Sequence, residues 1–141
     1  MWKYVIFIIS CLLAVMLEGS VTSLPLSVLV IILSYIMLRS NIVFILAFVM
    51  GLLLDVMTLR NFGQTSLVLL GLLFLTFLYQ RKFEIASLPF VFFSLLIGSY
   101  IYAKLLVLNN QFLQAMLIAI LGSVIYFVVN FFNISSKIST L

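Results

Sequence analysis

The sequence has no histidine, one cysteine and three acidic residues among 141. Each shortage excludes a class of chemistry. Without histidine, proton transfer near neutral pH loses its commonest side chain. A single thiol, Cys11, rules out an intramolecular disulfide. Metal ligation lacks imidazole and has only scattered carboxylates, Glu18, Asp55 and Glu84. No span carries the paired acids that a metal-dependent lipid transferase needs. A glycine-rich phosphate loop is absent as well. The expectation is therefore a protein that is not an enzyme and holds no cofactor.

What is present is apolar. Hydrophobic residues make up 67% of the chain and charged ones 7%. Mean hydropathy is +1.45. A soluble domain could not cover its surface at that composition, so the sequence predicts an integral membrane protein whose environment is the lipid bilayer. Backbone groups must then be satisfied within helices or a closed barrel. The apolar runs are too continuous for the alternation of barrel strands. The predicted class is all-α, with about six transmembrane helices in one bundle and a single domain over residues 1–141.

Breaks in hydrophobicity place the spans near residues 4–21, 25–39, 42–57, 65–79, 86–106 and 112–132, followed by a short polar tail. Pro25 and Pro89 suit the first turns of the second and fifth. The second, third and fourth are short, so one of them tilts or re-enters. Arg39-Ser40-Asn41, Gln80-Arg81-Lys82 and Asn109-Asn110-Gln111 form polar breaks. Lys3, Arg39, Arg81, Lys82 and Lys137 fall on one side; Arg60 and Lys104 fall on the other. That excess sets topology, with both termini cytoplasmic, and does not read as a nucleic-acid surface. The first span has no small-residue cleavage site behind it, so it does not read as a signal peptide. Cys11 follows Ile8-Ile9-Ser10, a loose lipoprotein-like pattern whose apolar lead is too short; the expectation is an ordinary helix residue.

Asp55 is the informative residue. It lies in Phe48-Val49-Met50-Gly51-Leu52-Leu53-Leu54-Asp55-Val56-Met57, which has no other charge. A carboxylate at a bilayer centre costs about 2.5–3.5 kcal/mol on insertion scales. It must face protein, water or a partner. At 1.5 Å per residue, Asp55 lies about 21 Å from Asn41, and Glu18 about 21 Å from Tyr4. Both acids fall in the outer half of the membrane, where Arg60 and Lys104 also lie. Acids are too short to snorkel far, so the four are expected to form an ion-pair layer. Asp55's expected partner is Arg60 or a polar group on a neighbouring helix.

Ala47, Gly51 and Asp55 repeat at four-residue spacing and form one helical stripe. Ser94/Gly98 and Ala115/Ala119/Ser123 repeat the pattern. Such stripes let helices approach closely and are expected to pack within the bundle. Gly63 suits a turn with positive φ, with Thr65 or Ser66 capping the next helix. The phenylalanines and tyrosines read as lipid-facing and interfacial anchors.

The order of these features resembles a known family. Arg39 closes one span, Gly51-Leu52-Leu53-Leu54-Asp55 ends the next, a short loop with Gly63 follows, and Gln80-Arg81-Lys82 closes the fourth. This is similar to the bacterial rod shape-determining protein MreD family, whose members are small, with five to six spans and a Gly-Leu-Leu-x-Asp run. The specific part covers about a third of the chain. Two features depart from the family pattern. Thr58-Leu59-Arg60-Asn61-Phe62-Gly63 stands where many relatives have a second small residue and a Pro-Leu-Gly turn, and Glu18 replaces a neutral polar residue. The resemblance implies a non-enzymatic scaffold or regulator of the elongation machinery, which builds lateral peptidoglycan, in the bacterial cytoplasmic membrane. Its implied partner is MreC, a single-span protein, alongside RodA, a class B penicillin-binding transpeptidase and MreB, with a homo-oligomer allowed in the complex. The resemblance also implies a fold similar to the substrate-binding components of energy-coupling-factor transporters. The alternative function is therefore such a small-molecule-binding component, with Glu18, Asp55, Arg60 and Lys104 lining an outer pocket. The short outer loops offer little material for its lid.

Topology gives a direct test. Reporter fusions at Leu141 and within residues 109–111 should report opposite sides of the membrane. Matching sides would refute the six-span arrangement.

Overall fold

A computed structural model of the chain describes residues 2–20, 24–59, 61–82, 87–106 and 110–138. These residues form six helices: α1 (Trp2–Ser20), α2 (Leu26–Leu38), α3 (Ile42–Met57), α4 (Gln64–Gln80), α5 (Leu88–Leu105) and α6 (Gln111–Ile138). No strand occurs among the described residues, and the all-α class stands. The last helix runs beyond residue 132 into the stretch expected to be a polar tail. Helical hydrogen bonds are local, so a polar composition does not by itself end a helix.

Helix ends follow the local chemistry. Pro25 precedes α2 with φ −76°, and Pro89 lies in the first turn of α5. Their missing N–H groups cost nothing where a helix has no internal acceptor for them. Arg39 closes α2 in the left-handed region at φ 48°, and its N–H donates to the Tyr35 carbonyl at 2.9 Å. Thr58 closes α3, donating from both its N–H and its hydroxyl to the Leu54 carbonyl.

α2 is the centre. It touches each of the other five helices, and all of its residues from Ser27 to Ile36 except Val30 are buried. Around it, α1 packs on α3, α3 on α4, α4 on α5 and α5 on α6. Among the described residues α6 does not pack on α1, so the ring is open there. Cys11 is buried with Ala14 and Val15 on the inner face of α1.

The stripe Ala47, Gly51 and Asp55 faces inward. Ala47 is fully buried, and a Cβ on Gly51 would lie 2.3 Å from Ser66 Cα. No real contact is that short, so α3 and α4 approach backbone to backbone at this point. Ala115 and Ala119 are likewise buried on α6, and Gly98 of α5 meets Ile32 of α2. Small residues thus serve close packing within the bundle.

The outward faces are apolar. Large hydrophobic side chains cover the exposed surface of α1 from Trp2 to Leu17 and of α6 from Phe112 to Phe132. α5 and residues 111–133 of α6 are long and apolar enough to cross a membrane; residues 4–20 of α1 and helices α2, α3 and α4 are shorter apolar stretches.

Two glycines make a paired test. Gly51→Ala should destabilise the detergent-solubilised chain by about 1–3 kcal/mol, the usual range for overpacking. A Cβ on Gly71 meets nothing within 4 Å. Gly71→Ala should be neutral or stabilising by roughly 0.5–1 kcal/mol. Equal thermal melting of the two variants would refute the tight α3–α4 approach.

Candidate functional site

At one end of the bundle α1, α3 and α5 finish while α2 and α4 begin. A helix start leaves backbone N–H groups without acceptors, and a carboxylate satisfies them while complementing the positive end of the helix dipole. Neither helix start here has a side-chain cap of its own: Pro25 precedes α2 and Gly63 precedes α4. The acceptors come from the preceding helices.

Asp55, on the last turn of α3, is 1% exposed. Its Oδ2 accepts from Gly63 N–H at 2.8 Å and its Oδ1 from Thr65 N–H at 3.1 Å. The Thr65 hydroxyl donates a third bond to the same Oδ1. Gly63 holds φ +88°, which aims its N–H back at the carboxylate and which a Cβ would strain. Asp55 is thus the N-terminal cap of the helix that follows it.

Glu18 repeats the arrangement one hairpin earlier. Near the end of α1, its Oε2 accepts from Ser27 N–H, in the first turn of α2, at 2.8 Å. Its Oε1 accepts from the Tyr102 hydroxyl at 2.5 Å. Tyr102 is fully buried and belongs to α5, so this one carboxylate links three helices. The acids share a level: a Cβ on Gly19 would lie 3.1 Å from Met57 Sδ.

The candidate residues therefore divide. Ala47, Gly51, Asp55 and Gly63 meet at the α3–α4 contact, and Glu18 sits at the same end on α1. Lys104 does not join the buried cluster expected of it. It is exposed, because a residue two positions beyond Tyr102 points to the opposite side of the helix. Arg60 lies outside the described residues. Asp55 and Glu18 accept bonds from N–H groups and hydroxyls of neighbouring elements, which for Asp55 is the neighbouring-helix alternative to Arg60 that the sequence offered. Thr65 and Ser66 are not caps. Thr65 donates to Asp55, and the Ser66 hydroxyl donates to the Gly63 carbonyl at 3.0 Å. Tyr102 was missed: it is 84 residues from Glu18, and nothing local to either one points to the other.

The opposite end is tied by aromatic residues. The Tyr35 hydroxyl donates to Gln80 Oε1 at 2.5 Å. Tyr35, Phe44 and Phe77 meet edge to face at 5.9 and 6.4 Å, joining α2, α3 and α4. The Arg81 guanidinium lies 5.3 Å from the centre of the Phe77 ring, within cation–π range.

Cavities open on the flanks. An apolar groove of about 210 Å³ lies between α4 and α5, with Ile32 of α2 on its floor. A smaller recess of about 130 Å³, partly polar, lies between the end of α2 and α6 beside Tyr126, Asn130 and Asn133. Comparison with protein-family models, curated proteins and solved structures found no match.

The Asp55 geometry ranks three substitutions. Asp55→Leu leaves the Gly63 and Thr65 donors buried without an acceptor and should cost the most, roughly 2–4 kcal/mol. Asp55→Asn keeps one acceptor oxygen and should cost less. Thr65→Val removes only the hydroxyl donor and should cost about 1 kcal/mol. Thermal unfolding in detergent tests the order. Full folding of all three variants with loss of function would instead point to a ligand on Asp55.

Proposed function

We propose that this chain is a multi-pass protein of the bacterial cytoplasmic membrane, with both termini cytoplasmic. In this reading it serves as a scaffold of the elongation machinery for lateral peptidoglycan synthesis and holds an MreC-like single-span protein through its transmembrane helices. RodA, the class B transpeptidase and MreB would act around that pair. The apolar exterior and the two membrane-length helices support the membrane setting. The order Arg39, Gly51 to Asp55, Gly63 and Arg81 supports the MreD-like reading.

One observation carries the scaffold over the alternative. A transporter's substrate-binding component would need Glu18 and Asp55 turned toward a pocket. Both carboxylates instead accept hydrogen bonds from the starts of the next helices. Their chemistry is directed at holding the bundle together. What the bundle offers outward is apolar helix surface, which suits a transmembrane partner. The opening between α1 and α6 is the favoured docking face, since a further helix there would close the ring around α2.

Co-expression with an MreC-like protein, followed by detergent extraction, should yield a stoichiometric complex. Cysteines placed at exposed positions of α1 and α6, such as Leu13 and Leu117, should crosslink to the partner's span. Purification of the chain alone from cells making both proteins would defeat this reading.

A further inference from the structure

We propose that the partner helix filling the opening between α1 and α6 carries a neutral hydrogen-bonding side chain at its inner end, recognised by Asn130 and Asn133 of α6. The inference rests on the scaffold reading above and names the chemistry by which the partner's span is chosen.

The recess of about 130 Å³ beside Asn130 and Asn133 belongs to that opening. Its wall on α2 is Ile36, which is buried, and Met37, which is half-buried. Met37 lies two turns beyond Val30 on the same side of the helix. Val30 is the one residue between Ser27 and Ile36 that the bundle leaves half-exposed, so both mark the side of α2 that looks into the opening. On α6 the face packed on the bundle runs through Ala115, Ala119 and Gly122 to Tyr126, all buried. Asn130 and Asn133 continue that face one and two turns on, yet both are exposed. α6 thus presents two carboxamides where its packed face runs out of cover.

Depth makes the exposure costly. Asn130 lies about 29 Å along α6 from Gln111 at 1.5 Å per residue, within a hydrocarbon core of about 30 Å. Phe131 and Phe132 beside it are exposed as well, so the apolar surface extends past it. Asn130 makes no hydrogen bond among the described residues. A carboxamide both donates and accepts, and hydrocarbon answers neither.

The surroundings select the occupant. The opening is a slot with α1 on one wall, α6 on the other and α2 behind. In a second copy α6 lies along α5, so it would bring α5 against these walls. A single span has no such neighbour. Any apolar span would gain the packing, but one without a polar group at this level would bury the carboxamides unpaired. The recess is lined by no charged residue, so an ionised side chain would go uncompensated there. A hydroxyl or a carboxamide on the partner fits both requirements.

The test measures binding of the full chain to a full-length MreC-like protein, both labelled for energy transfer in phosphatidylcholine vesicles. Asn130→Leu should weaken binding about tenfold, and Asn130→Gln should bind as the parent does. Phe131→Leu, at the same depth on the outward face, should change nothing. Asn130 is exposed, so all three variants should melt with the parent in detergent. Polar residues in the inner third of the partner's span, replaced singly by Leu, should include one whose loss equals that of Asn130→Leu and does not add to it. Binding indifferent to Asn130→Leu would overturn the inference and leave the scaffold reading standing, as would losses that simply add. Energy transfer between two copies of the chain that Asn130→Leu abolishes would give the recess to a second copy instead. Loss of the Asn130 dependence on adding phosphatidylglycerol would give it to a lipid headgroup. Absence of binding by the parent chain itself would refute the scaffold reading, and this inference with it.

Discussion

A carboxylate without donors is not tolerated in apolar surroundings, and the bundle is organised around meeting that demand twice. Asp55 and the start of α4 each lack what the other supplies. The acid needs N–H and O–H donors, and the helix start needs an acceptor. The pairing fixes how α4 leaves α3, because Gly63 must turn its N–H back toward the acid. It also fixes how closely the helices run, because Gly51 lets Ser66 approach at the next turn down. Glu18 and α2 repeat the exchange, and Tyr102 extends it to α5.

These contacts let a 13-residue helix act as the hub. α2 is too short to hold five neighbours by its own ends. It is positioned by Glu18 at its start and by Tyr35 near its finish, through Gln80 of α4. Between those points its surface is apolar and buried. Hydroxyls in the interior turn back to carbonyls of their own helices, as Ser34 does to Val30 and Ser99 to Leu95. These hydroxyls are thereby satisfied without a separate interior network.

Much of this was legible in the sequence because hydrophobic runs and their breaks are local. The six helices and their approximate limits follow from composition, prolines and polar turns. Asp55 stood out as a charge without charged neighbours, and its small-residue stripe indicated a packed face. The identity of its partner was harder to read. A polar group on a neighbouring helix was expected as the alternative to Arg60, but backbone N–H groups carry no residue signature, so the particular donors stayed hidden. A cap contributed from the previous helix breaks the local pattern by which caps are recognised. The Tyr102–Glu18 bond depends on how α5 lies against the first hairpin, which no spacing encodes. The groove between α4 and α5 arises from a gap between elements, which no residue pattern marks.

The carboxylates of α1 and α3 are each answered by the helix that follows, and this bears on biogenesis. In the membrane reading proposed above, a nascent chain that has released α3 but not α4 into the bilayer would hold Asp55 without its donors. The same is true of α1 before α2. The smallest segment that can enter lipid with its acid satisfied is therefore a helical hairpin. Insertion in pairs would match this chemistry, whereas single-helix insertion would expose each acid in turn. In that reading the Tyr102 hydroxyl reaches Glu18 only when the third pair arrives, so α5 acts as a latch that closes on a hairpin already in place.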